Sequence, residues 1–285
     1  MYNALINWMI ERHAIYKKRA AGRPKPWTAD PILQRYKFTN VLRELDAVSQ
    51  DLIAHLETYG PKRPPEETLF NIVAYRTFNV PEAFHALTGG SDWISRWDTA
   101  LAERRLNRYQ DIGGKVFTGA YIMCATGTTG MRKHTKYLQT LRSVWGDRYR
   151  LTECVLRTKS IQAITEQLAQ YSNYGPFVAY EFATDLTYTP LLKDAVDILT
   201  WANPGPGARR GLNRLHGRNL TAAVPKAQLV SEMRSALAFC RKAKRPAFWG
   251  RALELRDIEH SLCEFDKYER VRTGLGRPRS KYPGV

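Results

Sequence analysis

Three aspartates in the second half of the chain have the residue type and the position to do acid–base chemistry. Residues 161–197 are predicted to form a helix, a turn at 171–177 and a second helix, with Asp185, Asp194 and Asp197 on and after the second helix. A carboxylate placed there can act as a general base or stabilise positive charge on a reacting group. For each of the three, a helix cap or an arginine partner is the structural alternative.

The turn before these aspartates has the features of a phosphate-binding hairpin. Gly175 is expected to supply either a positive φ or a close approach of the backbone. The helix that follows opens with N–H groups that can hold a DNA phosphate. An ordinary helix–turn–helix connection is the alternative.

A basic stretch follows the hairpin. Between Ala202 and Leu220 there are four arginines and no acidic residue. Proline and glycine in this stretch predict an exposed turn that presents Arg209, Arg210 and Arg214 to solvent. Arg209 and Arg210 suit bidentate contact with phosphate or pyrophosphate. A solvated loop without a ligand is the alternative.

A second polar cluster lies near the start of the chain. If residues 41–58 are helical as their apolar spacing predicts, Asn40, Arg43 and Glu44 fall within one turn of each other. Such a triplet either binds a ligand, with Arg76 as a further member of the site, or forms an ion pair between helices. Trp27, amid basic residues, is a candidate for stacking on a base.

Apolar periodicity predicts a mostly helical chain with few strand signals. Asp30-Pro31 is predicted to start a helix, with the aspartate as cap and the proline at the first helical position. Short strands are an option at 116–117 and 121–123, and the glycines at 127–130 lack the spacing of a Walker loop. Helices are predicted at 2–20, 41–58, 66–76, 80–87, 92–107, 133–144, 160–171, 176–186, 225–243 and 252–268.

Composition favours a nucleic-acid partner. The formal charge is +17 and the pI is near 9.8, as expected of a protein that binds polyanions.

No two of the six histidines stand at i, i+4 and none of the four cysteines at CxxC spacing, so we expect no metal and a reducing compartment. Neither a signal peptide nor a membrane span is indicated. We expect one helical domain over 1–269, in one or two lobes, and a flexible basic tail over 270–285.

Several ordered motifs resemble one family over nearly the whole chain. They are WTADPIL at 27–33, FTNV at 38–41, RELD at 43–46, GPFVAYE at 175–181, GPGA at 205–208, RGL at 210–212 and DIEHSLCEFDKY at 257–268. Together they resemble the phage α-glutamyl/putrescinyl-thymidine pyrophosphorylases, which are amino acid:DNA transferases. They are also similar to the helical domain of 5-hydroxymethyldeoxyuridine DNA kinases.

The resemblance implies a fold like that of helix–hairpin–helix DNA glycosylases, whose catalytic aspartate lies about twenty residues past the hairpin glycine. Asp194 and Asp197 fall nearest to that position, whereas Asp185 belongs to this family's own motif. It also implies that an amine displaces (pyro)phosphate from phosphorylated 5-hydroxymethyluracil in DNA. An aromatic ring such as that of Trp27 or Tyr180 would hold the base outside the stack. Arg43, Arg76 or Arg210 would stabilise the leaving group, and Glu44 or Asp185 would take the proton of the amine.

Three hypotheses therefore stand. The first is the transferase, which takes an amino acid or a polyamine as donor, needs no cofactor and works in the cytoplasm of a phage-infected host. The second is a non-catalytic DNA-binding subunit that partners a kinase, and the third is a glycosylase-like hydrolase. Kinase activity of this chain alone is not expected, because it lacks a P-loop.

Overall fold

The computed structural model describes residues 1–118, 130–278 and 280–282, and within them the chain is built from helices. The predicted strand at 121–123 and Gly127 lie outside the described residues. Residues 116–117 form a bend rather than a strand. The helices are α1 (Asn3–Ala20), α2 (Pro31–Arg35), α3 (Ala47–Tyr59), α4 (Pro65–Phe78), α5 (Pro81–Thr88), α6 (Thr99–Asp111), α7 (Lys133–Gly146), α8 (Arg148–Thr158), α9 (Ile161–Leu168), α10 (Pro176–Leu186), α11 (Pro206–Leu215), α12 (Lys226–Ala243), α13 (Pro246–Trp249) and α14 (Leu255–Arg272).

The chain divides into two units. The central unit is Ala47–Asp197 and holds α3 to α10, while the terminal unit joins Met1–Asp46 to Ile198–Val285. Each unit has its own apolar core, which is consistent with the helical spacing of its apolar residues.

The core of the central unit is organised around α4. Every residue of α4 from Leu69 to Phe78 is buried, as expected of a helix that is surrounded on all sides. Helices α5, α7, α8 and α10 pack against it. Two polar residues of this helix, Asn71 and Arg76, are therefore buried and must be paired inside the unit.

The core of the terminal unit is organised around α14, which packs against α1, α2, α11 and α12. Asp30 caps α2 by accepting from the N–H groups of Ile32 and Leu33 at 2.7 and 3.0 Å, so the predicted helix start is confirmed. The closest packing is that of α11 on α14. A Cβ on Gly207 would lie 2.4 Å from Cys263 Sγ, and one on Gly211 would lie 2.5 Å from the carbonyl oxygen of Leu262.

Helix α8 is absent from the predicted helices, and two further predictions about secondary structure are wrong. Residues 206–215 form helix α11 rather than an exposed turn, and residues 43–45 form a short 3₁₀ helix rather than the start of a long α-helix. The predicted tail also differs in its described residues. Arg270 and Arg272 belong to α14, and Lys281 bridges Tyr36 while Tyr282 donates its N–H to the carbonyl of Arg35.

Candidate functional site

The predicted hairpin is formed by α9 and α10, which pack against each other in the central unit. Pro176 occupies the first position of α10, and no side chain caps that helix. Gly175 has a φ of −93°, and a Cβ built there has no atom within 4 Å. The positive φ expected of this glycine is therefore wrong, since the turn's positive φ belongs to Asn173. The open space in front of Gly175 leaves room for a ligand to approach the start of α10.

Arg76 of α4 and Asp185 of α10 form a buried ion pair. Arg76 donates from Nε to Asp185 Oδ2 at 2.5 Å and from Nη2 to Oδ1 at 3.0 Å, and their side chains are 5% and 0% exposed. Its remaining donors reach Asn79 Oδ1 and Ser49 Oγ. The structure thus brings together two predicted site residues as partners of each other. Neither the guanidinium nor the carboxylate is open to a substrate in this arrangement.

The other two aspartates have different environments. Asp197 accepts from Ser160 Oγ at 2.7 Å and from the N–H groups of Ile161 and Gln162 at 2.8 and 2.9 Å. It therefore stabilises the start of α9, which is the capping role that was the alternative for it. Asp194 is exposed, and its carboxylate has no hydrogen bond or ion pair with any residue that the structure describes. Of the three candidates, Asp194 has the carboxylate that is open to a ligand.

Tyr180 is 3% exposed within α10. Its ring is packed among core side chains, because this helix is buried over most of its length. The expectation that it stacks on a base is not met by this arrangement, since a stacking ring must present a face to the nucleic acid.

Asn40 holds together the 3₁₀ turn of the terminal unit. Its side-chain oxygen accepts from Arg12 Nη2 at 2.8 Å, its Nδ2 donates to the carbonyl of Leu45 at 2.7 Å, and its N–H donates to Asp46 Oδ1 at 2.8 Å. The predicted triplet of Asn40, Arg43 and Glu44 on one helical turn is wrong, because the α-helix starts only at residue 47. Asn40 and Arg43 are both buried.

Glu44 is held by Arg251. Arg251 Nη2 donates to Glu44 Oε2 at 3.0 Å and a second bond joins its Nε to Oε1, while its Nη groups also donate to Asp257 at 2.7 and 2.8 Å. Burial alone would raise the pKa of Glu44, but the hydrogen bond and charge of Arg251 outweigh it and the pKa is lowered. A carboxylate with a lowered pKa is a weaker base, so Glu44 is poorly suited to the proton-accepting role expected of it.

Asp46 is a residue that sequence reasoning missed. Burial raises its pKa to about 6, in spite of the hydrogen bond from Asn40 and the charges of Arg12 and Arg43. A carboxyl group with a pKa near neutrality is a functional candidate. The sequence contained a signal for it, because Asp46 ends the RELD motif that also holds the predicted site residues Arg43 and Glu44.

The arginines of α11 converge on one aspartate of α14. Arg210 Nε donates to Asp266 Oδ2 at 2.8 Å and Arg214 Nε to Oδ1 at 2.9 Å, and Arg270 Nε lies 3.4 Å from the same carboxylate. The side chain of Asp266 is 0% exposed and that of Arg210 is 34% exposed. The prediction that an exposed turn presents these arginines to solvent is therefore wrong. Three guanidinium groups around one carboxylate still leave excess positive charge there, and Arg209 is half-buried on the same helix.

The acidic side chains of the motif at 257–268 in α14 hold other segments of the terminal unit by hydrogen bonds. Besides Asp257 and Asp266, Glu259 accepts from the N–H of Gly205 and Glu264 from that of Thr39. Tyr268 donates to Asp30 Oδ2 at 2.6 Å. The sequence analysis did not predict these hydrogen bonds, although buried acidic side chains are expected to be paired.

Trp27 lies in a basic and aromatic patch of the terminal unit. The guanidinium of Arg19 and the Nζ of Lys25 lie 5.4 and 5.5 Å from its ring centroid, and the ring of Tyr282 lies 5.9 Å away. Lys18 donates to the carbonyl of Trp27. Cations next to aromatic rings are also found in proteins that bind single-stranded nucleic acid.

Comparison with known proteins places these sites in a family. A family model described as "5-hmdU DNA kinase, helical domain" matches residues 1–276. The chain belongs to this family. The resemblance to the helical domain of these kinases, drawn from the motifs, is thereby confirmed.

One similar protein shows how much of the sequence is shared and how much of each chain is covered. A "5-hmdU DNA kinase" of Bacillus phage SP10 is 28% identical over 286 residues, which cover 91% of this chain. The chain spans 43% of that relative's length. No solved structure matches the chain.

Metal ligands and membrane-spanning helices are both absent from the described part of the chain. No group of three or more His, Cys, Asp or Glu side chains is arranged to hold a metal ion there. Among the described helices, none is long and apolar enough to cross a membrane.

Proposed function

We propose that this family member acts on DNA that carries 5-hydroxymethyluracil, replacing a (pyro)phosphate on the activated hydroxymethyl group with an amine. The family match over residues 1–276 carries the proposal, because the matched relative is named for 5-hydroxymethyldeoxyuridine in DNA. A formal charge of +17 supports a polyanionic substrate. The setting would be the cytoplasm of an infected host, with a DNA kinase as the partner that supplies the activated base.

The reaction exchanges one bond for another at the methylene carbon of the base. The amine nitrogen forms a C–N bond to that carbon, and the C–O bond breaks so that pyrophosphate leaves with its electron pair. The amine loses a proton, which a carboxylate accepts. The base must leave the duplex stack to be reached, which costs a few kcal/mol.

We assign the proton-accepting role to Asp194. The other candidate carboxylates are engaged by residues of the protein itself, since Asp185 is paired with Arg76, Glu44 is paired with Arg251, and Asp197 caps α9. Asp194 is exposed. It also lies at the sequence distance past Gly175 at which the resemblance implies a catalytic aspartate.

DNA would be held at three places. We propose that α9 and α10 are the hairpin of a helix–hairpin–helix, glycosylase-like fold, and that the backbone at the start of α10 contacts a phosphate beside Gly175. In the terminal unit, Arg210 with Arg209 and Arg214 would contact phosphate. The patch at Trp27 would stack on an unpaired base.

A second function is favoured by one observation. The matched relative is a kinase, and the chain spans only 43% of its length. The chain would then be a DNA-binding helical part that serves a kinase and has no turnover of its own.

Nucleoside mass analysis separates these functions. The protein is incubated with DNA carrying pyrophosphorylated 5-hydroxymethyluracil and a mixture of amino acids and polyamines, and the DNA is then digested. A nucleoside with the mass of substrate minus pyrophosphate plus one amine is the expected product. Unchanged nucleosides together with salt-sensitive DNA binding by folded protein would establish the DNA-binding subunit. Free base in the supernatant would indicate a glycosylase-like hydrolase.

A further inference from the structure

The outer side of helix α8 is a surface of the central unit that the proposed roles do not use. Helix α8 packs against α9, the first helix of the hairpin. Tyr149 on this side is 59% exposed, which makes it the most exposed phenylalanine, tyrosine or tryptophan among the described residues. Phe177, at 40%, comes next and lies at the start of α10. Two exposed rings therefore stand on α8 and on the hairpin.

Hydrogen bonds join the start of α8 to the hairpin. Tyr171 of the hairpin loop donates its hydroxyl to Asp147 Oδ2 at 2.5 Å. Arg150 Nη2 donates to the same hydroxyl at 3.2 Å, and its Nη1 donates to Gln167 Oε1 of α9 at 2.5 Å. The start of α8 and the hairpin loop therefore form one continuous surface.

A small cavity opens between α8 and α9. Its volume is about 180 Å³, and its lining is Arg150, Glu153, Cys154, Arg157 and Gln167. Arg157 is exposed and has no hydrogen bond or ion pair with any residue that the structure describes. Arg150 makes three hydrogen bonds, so two of the five N–H groups of its guanidinium remain. Two guanidinium groups against one carboxylate give the cavity a positive charge that suits a phosphate.

The ring of Tyr149 is held in place beside this cavity. The guanidinium of Arg148 lies 4.3 Å from its centroid and 4.1 Å from that of Trp145. Arg148 also donates to the hydroxyl of Tyr149 at 3.1 Å. Tyr149 and Glu153 are four residues apart on α8, so the ring stands on the side of the helix that borders the cavity. A ring that is already ordered and still exposed loses little freedom when a base stacks on it.

We infer that the outer side of α8 binds an unpaired nucleotide of a DNA strand, with a phosphate in the cavity at Arg150 and Arg157 and a base stacked on Tyr149. A duplex fits this surface less well, because its bases stack on each other and offer no free face to the ring. The inference rests on the proposed function for the choice of DNA as the ligand. It adds that the strand beside the hairpin is unpaired.

Fluorescence anisotropy of the full chain tests the inference, with a labelled oligothymidylate of unmodified nucleotides and the same strand in a duplex. We expect tighter binding of the single strand. Tyr149→Ala should weaken that binding by about tenfold and leave duplex binding unchanged, while Tyr149→Phe keeps the stacking ring and the affinity. Arg157→Gln should reduce the slope of log affinity against log salt for the single strand by about 0.7, the value for one phosphate contact.

The matched controls are Tyr59→Ala, which removes a 36% exposed tyrosine of α3, and Arg104→Gln, which changes an exposed arginine of α6 that does not line the cavity. Both should bind DNA as the wild type does, and thermal unfolding verifies that each variant is folded. Tighter binding of the duplex, or equal losses in Tyr149→Ala and Tyr59→Ala, would overturn the inference.

The oligonucleotide carries no modified base, so the result does not depend on amine transfer. Wild-type affinity of Tyr149→Ala, together with amine transfer by the wild type on activated DNA, would overturn the inference and leave the proposed function standing. Weakened single-strand binding of Tyr149→Ala, together with no transfer by the wild type, would do the reverse. Binding of neither DNA by the folded wild type would overturn both.

Discussion

The guanidinium of Arg76 and the carboxylate of Asp185 form a two-point ion pair inside the central unit, joining α4 to α10 at 2.5 and 3.0 Å. Neither side chain is more than 5% exposed. Two charges that far from water stabilise a protein only as a pair, because each alone would carry a large desolvation cost. Both residues are predicted from the sequence to contact substrate, whereas the structure pairs and buries them.

Asp185→Asn should therefore reduce the free energy of unfolding by about 3–5 kcal/mol, because it leaves the guanidinium buried without its counter-charge. Urea denaturation measures the change. The control is Asp111→Asn, which removes a carboxylate that is 60% exposed from its pair with Arg132 and should cost no more than about 1 kcal/mol. Arg76→Met/Asp185→Leu should recover most of the loss. Wild-type stability of the single Asp185 variant would contradict a structural role for the pair.

Two glycine-to-alanine changes should differ in their effect on stability. Gly211→Ala places its Cβ 2.5 Å from the carbonyl oxygen of Leu262, so it should destabilise by about 1–3 kcal/mol through overpacking, although alanine normally favours a helix. Gly175→Ala meets no atom within 4 Å and has a φ of −93°, so its stability should be unchanged or slightly higher. Thermal unfolding of both variants checks this.

The same Gly175 variant also tests the hairpin. If the start of α10 contacts a phosphate, the added methyl group should weaken DNA binding in a protein that remains fully folded. Fluorescence anisotropy with labelled DNA measures this. Unchanged affinity at several salt concentrations would show that DNA does not approach at Gly175.

The sequence predicted the helical class and most of the longer helices, and α10 begins and ends at the predicted residues. It missed α8, and it placed the start of α6 at residue 92 rather than 99. It failed at α11, where proline and glycine suggested a turn. Pro206 instead occupies the first helical position, and Gly207 and Gly211 permit close contact with α14. Tertiary packing of this kind cannot be read from local propensity.

The sequence predicted which residue types could form the candidate site, but not which of those side chains are exposed and which are buried or paired. Asp185, Asp194 and Asp197 have the same chemistry and similar positions in the sequence, yet one is buried with Arg76, one is exposed and one caps α9. The partners that make the difference, such as Arg76 for Asp185, lie up to 109 residues away in the chain. Only the fold brings them together.

Asp46 should give the protein a distinctive pH dependence. Its native pKa is raised to about 6, whereas an unfolded aspartate titrates near pH 4. Between these values the native state binds more protons, so the free energy of unfolding falls as pH rises, by roughly 2–3 kcal/mol for this group. Asp46→Asn should remove that decline between pH 4 and pH 7 in urea titrations. Glu57→Gln, which changes an exposed carboxylate on α3, is the control and should keep it; an identical pH profile for wild type and the Asp46 variant would contradict the raised pKa.

Asp194→Asn and Asp197→Asn should separate catalysis from folding. Asp194 is exposed and unbonded to any described residue, so its replacement should leave thermal stability unchanged while lowering amine transfer by about 10²–10⁴-fold, the usual contribution of a general base. Asp197 accepts three hydrogen bonds at the start of α9, so its variant should lose about 1 kcal/mol of stability and retain turnover when folded. The mass assay on activated DNA measures transfer. If instead Asp197→Asn abolishes transfer in a stable protein and Asp194→Asn does not, the proton acceptor has been assigned to the wrong carboxylate.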